Sequence, residues 1–173
     1  VAELELASQC EIEISAQPGR MVGVAEEERL LTPWTRSLKF RHPWLQLNLL
    51  TAFIAAGVVG LFQQTLDNMV ILALFLPVLA GQSGNTGCQA LAVTLRGLTL
   101  GELKAGTERM LVAKEALLGF FNGALVGVTA GTGMFIVATV QGNPDRLGLS
   151  LIVALAMTVS CVVSGISGAL IPL

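Results

Sequence analysis

Four apolar stretches divide this chain, at about residues 45–62, 69–95, 116–140 and 147–173, and short polar segments separate them. Each is near the roughly 20 residues that a helix needs to cross the hydrocarbon of a bilayer. The pattern predicts an all-α, polytopic transmembrane helix bundle with those four stretches as spanning helices. Residues 1–40 read as a separate polar leader, and 41–173 as the membrane domain. In the leader, Glu3, Glu5, Glu11 and Glu13 alternate with apolar residues, a hint of strand that Gln17-Pro18-Gly19 interrupts. An amphipathic stretch then starts at Glu26, Glu27 and Glu28 and is broken by Pro33. Two readings of the leader stay open: a solvated connecting segment, or an acidic patch that senses cations.

The second span is unusual at its centre. Between Leu76 and Val93 it carries Gln82, Ser83, Asn85, Thr86 and Gln89 among Gly81, Gly84 and Gly87. Amides and hydroxyls at that depth are costly unless they face a partner helix or a water-filled path. Pro77 lacks an N–H, which loosens the helix and frees a carbonyl in the preceding turn. Asn85 and Gln89 are four residues apart and share a helix face. Together with Thr86 they offer oxygen ligands only, which suits a hard cation such as Mg²⁺ that is held through its own waters. The alternative is hydrogen bonding between helices without any passage.

The other spans carry packing signals. Gly119, Gly123, Gly127 and Gly131 recur every four residues and form one ridge, where another helix can approach closely. Ser160, Ser164 and Gly168 repeat the spacing on the fourth span, with Gly165 alongside.

Composition and charge narrow the classes. The chain is 53% hydrophobic and 13% charged, with a formal net charge of −2, so it offers no basic footprint for nucleic acid. Arg36, Lys39 and Arg41 precede the first span, and Arg96, Lys104, Arg109 and Lys114 lie between the second and third. The loops at 63–68 and 141–146 hold only Arg146. This asymmetry places the amino terminus and the 96–114 loop in the cytoplasm. The expected location is a cell membrane, either a plasma membrane or a bacterial inner membrane, crossed several times. The layout before the first apolar run is not that of a signal peptide.

Enzymatic chemistry finds little support. Gly81-Gln-Ser-Gly84 has the form used by intramembrane serine proteases, but the one histidine, His42, precedes the first span. No nucleotide-binding or zinc motif is present. The three cysteines are of odd number and make no disulfide framework. Asp67 in the short outer loop and Glu115 at the start of the third span are candidate pore-mouth carboxylates. Glu115 reads equally well as an interfacial residue paired with Lys114.

The motif Pro77-Val-Leu-Ala-Gly-Gln-Ser-Gly-Asn-Thr-Gly-Cys-Gln89, followed by Arg96-Gly97 and Gly101-Glu102, closely resembles the second transmembrane helix of MgtE-type magnesium transporters. That family is related to the eukaryotic solute-carrier magnesium transporters. Arg41-His-Pro-Trp-Leu45 with Asn48 and Thr51-Ala52 is similar to the start of its first helix, and Lys114-Glu115 with Gly119 to the start of its third. Gly168-Ala-Leu-Ile-Pro-Leu173 resembles the end of its fourth, and residues 21–33 the segment that joins a regulatory domain to the membrane part.

The resemblance implies a homodimer in the bilayer that conducts Mg²⁺ passively through a pore at the dimer axis. Its five helices per subunit would be represented here by four. Carried over by motif, Asn85 is the pore-facing candidate, with Ser83, Gly84, Thr86, Gly87 and Gln89 around it. The family's metal-binding aspartate lies on its fifth helix, and no residue of this chain takes that role. Since the chain opens on Val1 and closes just after Pro172, it reads as an excised piece. Where the family often has Phe-Glu near the outer end of the first helix, Phe62 is followed by Gln63, with Asp67 as a substitute carboxylate nearby in sequence. Two other functions remain open: a non-conducting membrane assembly module, and transport of another divalent cation such as Mn²⁺ or Co²⁺.

Overall fold

The computed structural model describes residues 24–25, 27–103 and 106–173, all of them helix, turn or irregular chain. The suspected strand before Gln17 lies outside the described residues. Among the described residues six helices follow in order: α1 (Trp34–Gly60), α2 (Gln63–Asn68), α3 (Val70–Ala73), α4 (Leu76–Thr99), α5 (Glu108–Val140) and α6 (Arg146–Leu170). Among the described residues, four helical segments are long and apolar enough to cross a membrane: Trp34–Gly60, Val70–Thr99, Glu108–Val140 and Arg146–Leu170. The chain divides into two compact units, residues 1–64 and 65–173.

In the first unit, α1 begins at Trp34 rather than near Leu45, so the basic residues Arg36, Lys39 and Arg41 belong to the helix itself. Pro33 opens it in an extended conformation (φ −56°, ψ 139°), and Pro43 lies inside it. Pro43 has no N–H to offer the Lys39 carbonyl, but the helix continues through it. Ahead of α1, Glu28 is held by Arg41, whose Nε donates to Glu28 Oε1 at 2.8 Å. Arg41 Nη2 donates to the same oxygen. These hydrogen bonds favour the carboxylate and hold Glu28 below the ordinary carboxyl range, outweighing the burial that opposes ionisation.

The second unit is built around α6, which packs against α5 along its length and against α4 on another edge, while α4 and α5 touch little. The expected second span is not one unbroken helix. It starts as α3, turns at Leu74 and Phe75, and resumes as α4. Pro77 sits in the first turn of α4, where a missing N–H costs least. The Ala73 carbonyl therefore has no donor four residues ahead, and the chain bridges the gap with a tighter bond from Phe75 N–H to Leu72 O, 3.0 Å.

Both α4 and α5 end in the same stop. Gly101 and Gly142 take φ of 67°, a left-handed conformation that glycine adopts freely. Glu102 N–H then reaches Gly97 O, and Asn143 N–H reaches Ala138 O, each at 2.9 Å, closing the last carbonyls of each helix.

The α5–α6 contact is made by backbone. Gly119, Gly123, Gly127 and Gly131 are all buried. A Cβ added at Gly119 would lie 2.6 Å from Cys161 O, one at Gly123 2.9 Å from Thr158 Cα, and one at Gly127 2.6 Å from Ala154 O. Gly165 of α6 answers from the other side, since a Cβ there would lie 2.9 Å from Glu115 O. Ser150 Oγ donates across the seam to Gly131 O at 2.6 Å. Towards one end the seam opens onto a small core of Ile71, Met134, Ala138, Leu149, Val153 and Met157.

Large apolar side chains point the other way. Leu117, Leu125, Val128 and Ile136 on α5, and Leu151, Leu155, Val159 and Val163 on α6, are exposed. Small residues inside and large ones outside is the packing of helices in lipid, where apolar surface needs no hiding.

Two outcomes follow. Gly123→Leu should part α5 from α6 and lower the melting temperature in micelles, since overpacking costs about 1–3 kcal/mol. Gly148→Ala, with nothing within 4 Å of the added Cβ, should melt like the parent. Acidification should release Arg41 only below the ordinary carboxyl range, because Glu28's folded value is depressed: the pair contributes above that range and is lost as pH falls through the lowered value. An NMR titration of the Glu28 carboxyl carbon reads this directly, and Arg41→Ala should move its midpoint up.

Candidate functional site

Helix α4 sorts its central residues into two faces. Ser83, Thr86, Gly87, Ala90 and Thr94 turn towards α6. Ser164 Oγ donates to the Ser83 carbonyl at 2.5 Å. Thr86 Oγ1 donates back to Gln82 O at 3.0 Å, and Cys161 Sγ lies 3.5 Å from it. A Cβ at Gly87 would meet Ser164 Oγ at 2.6 Å, and one at Gly168 would collide with the Gly87 carbonyl. Ala90 and Thr94 complete this face at 2% and 1% exposure.

The opposite face holds Gln82, Gly84, Asn85, Cys88 and Gln89, all exposed. Gln82, Asn85 and Gln89 are spaced three and four apart and form one stripe, with Asn85 and Gln89 about 6 Å apart along the axis. Among the described residues, Asn85 and Gln89 have no side-chain hydrogen-bond partner. Gly81 and Gly84 open onto empty space, with nothing within 4 Å of a built Cβ. Among the described residues of this unit, no packing calls for glycine at those positions. The face is thus polar, low in relief and uncovered.

The residues named from sequence separate accordingly. Asn85, Gln89 and Gly84 lie on the uncovered face, while Ser83, Thr86 and Gly87 lie against α6. Asp67 is exposed on α2. Glu115 is buried, at 6% exposure, in the first half of α5, with its carboxylate 3.7 Å from Lys114 Nζ. Among the described residues no group of three or more His, Cys, Asp or Glu is gathered closely enough to hold a metal ion. The oxygen donors of the uncovered stripe are neutral amides.

Ser164 and Gly168 position α4, though the sequence marked them only as small residues at helical spacing. The signal that pairs them with α4 is complementary polarity: a hydroxyl on one helix opposite Ser83 and Gly87 on the other.

Comparison with known proteins decides the family. The family model for MgtE, described as a divalent cation transporter, matches residues 76–173. The chain belongs to the MgtE family. It is 34% identical over 134 residues to a magnesium transporter MgtE of Bacillus subtilis, covering 77% of this chain and 28% of that protein. It is 31% identical over 153 residues to one of Enterococcus faecalis, covering 88% of this chain and 32% of the relative. A Thermus thermophilus magnesium transporter MgtE is 31% identical over 83 residues, 48% of this chain and 18% of that protein. The chain thus spans less than a third of the length of these relatives. As a member of a transporter family with four candidate spanning helices, it is a multi-pass membrane protein.

The two described cysteines give a direct probe of the faces, since Cys88 is exposed and Cys161 buried. In a Cys10→Ser background, a charged methanethiosulfonate reagent should modify Cys88 and spare Cys161 if water bathes the uncovered face. Equal protection of both thiols would mean that lipid or protein seals it.

Proposed function

We propose that this chain is the membrane part of a Mg²⁺ transporter that works as a passive, channel-like conductor, with its pore at the interface of a homodimer. The observation that carries the reading is the uncovered stripe of Gln82, Asn85 and Gln89 on α4. Amides at membrane depth need partners. A second copy meeting this face, with water and a cation between the two stripes, supplies them. The relatives' common name, magnesium transporter, supports the choice of ion.

Asn85 stands at the centre of the path in this reading, with Gln89 a turn further on. Gly84 keeps the wall low enough for a hydrated ion to pass. Ser83, Thr86 and Gly87 hold α4 on α6 and so fix the direction in which Asn85 faces. Neutral oxygens suit Mg²⁺, which sheds water reluctantly and is bound through its hydration shell. The inward membrane potential supplies the drive: at about 2.3 kcal/mol per charge per 100 mV, a divalent ion gains roughly 4–5 kcal/mol per 100 mV. Asp67 serves as a carboxylate at the outer mouth, with the amino terminus in the cytoplasm, while Glu115, buried beside Lys114, lies off the path. No enzymatic step is required. The broader family description, divalent cation transporter, makes Mn²⁺ or Co²⁺ the second choice of ion, and the thiol of Cys88 beside Asn85 favours the softer Co²⁺ of the two.

In proteoliposomes of the intact protein, Asn85→Leu should abolish Mg²⁺ uptake, at least a tenfold loss, while cross-linking still reports a dimer. Wild-type uptake by that variant would remove Asn85 from the path. Loss of the dimer together with uptake would favour a non-conducting assembly role for the stripe.

A further inference from the structure

The basic start of α1 has chemistry that ion conduction does not use. The helix has 27 residues and is therefore about 40 Å long, the thickness of a bilayer with its headgroup layers. Its apolar run begins at Leu45, so the turns that carry Arg36 and Lys39 stand at headgroup depth. Thr35, Arg36, Lys39 and Phe40 share one face of the helix and line an open, shallow recess on its surface. The Arg36 guanidinium lies over the Phe40 ring, 5.4 Å from its centroid, which holds the cation over the recess.

The third basic residue of this turn is already engaged, because Arg41 is bound to Glu28. Arg36 and Lys39 are exposed, and neither has an acidic partner among the described residues. Two unneutralised cations, a hydroxyl and an aromatic floor, set at the membrane surface, are complementary to a phosphate diester with an apolar tail.

We propose that this recess seats the headgroup of an anionic phospholipid, with Arg36 and Lys39 on the phosphate and Thr35 beside it. The bound lipid then pins the start of α1 at the membrane surface.

Native mass spectrometry of the intact protein from nanodiscs of mixed phosphatidylglycerol and phosphatidylcholine tests this. The wild type should retain phosphatidylglycerol in preference to phosphatidylcholine. Arg36→Ala with Lys39→Ala should weaken that retention roughly thirtyfold, as expected for two basic contacts at about fivefold each. Arg36→Lys with Lys39→Arg should keep most of it, and Arg109→Ala should leave it unchanged. Should the alanine pair fail to fold, Lys39→Gln alone should still show a clear partial loss. Undiminished retention in the alanine or glutamine variants would overturn the proposal, as would an equal loss in Arg109→Ala, the sign of a diffuse charge effect. Displacement of the lipid by millimolar inorganic phosphate would also overturn it, by showing a site for free phosphate.

Discussion

Everything in the second unit depends on the backbone contact between α5 and α6. Four glycines on α5 and Gly165 on α6 remove every Cβ that would hold the two helices apart. In lipid, burying apolar side chains yields little, and close van der Waals contact with a few hydrogen bonds has to hold the pair together. That constraint explains why small residues face inward here and leucine, valine and isoleucine face out. It also fixes the rotation of α6 about its axis, because only one face of that helix can meet the glycine ridge.

With α6 fixed, its remaining edge sets α4. Ser164 donates to the Ser83 carbonyl, Gly168 makes room for the Gly87 carbonyl, and Cys161 meets both neighbours, lying beside Thr86 and under Gly119. The polar centre of α4 is thereby split. Hydroxyls and one glycine are used to seat the helix, while the longer amides are turned outward. The proposed ion path is the consequence of that split: a polar, glycine-lined face that this unit leaves without a partner.

Much of this was legible in the residues, and the gaps have physical causes. Four spans follow from the length of the apolar stretches, and the ridge of Gly119, Gly123, Gly127 and Gly131 from spacing alone, because a four-residue repeat over this length falls on one side of a helix. The turn at Leu74 and Phe75 was foreshadowed by Pro77, whose missing N–H weakens the helix just before it. The start of α1 was not legible, because Arg36 and Lys39 fall in the polar leader and Arg41 still lies ahead of the apolar run that begins at Leu45. A helix can continue into the headgroup layer, and charge there does not stop it. Nor could sequence divide residues 81–89 between two faces, since Ser, Thr, Asn and Gln all look equally out of place in an apolar run. Only the position of α6 tells which of them are consumed in packing. For Glu115, sequence left a pore-mouth carboxylate and a Lys114-paired residue equally open; the observed geometry is a buried carboxylate within ion-pair distance of Lys114.

The central claim is that the stripe on α4 faces its counterpart in a second copy across a path that admits Mg²⁺. Disulfide trapping tests it most directly, with Asn85→Cys placed in an otherwise cysteine-free intact protein in native membranes. The account predicts rapid oxidation to a covalent dimer, slowed by millimolar Mg²⁺, and no cross-link from Val163→Cys on the outward face of α6. Efficient trapping through Val163→Cys, with none through Asn85→Cys, would contradict it.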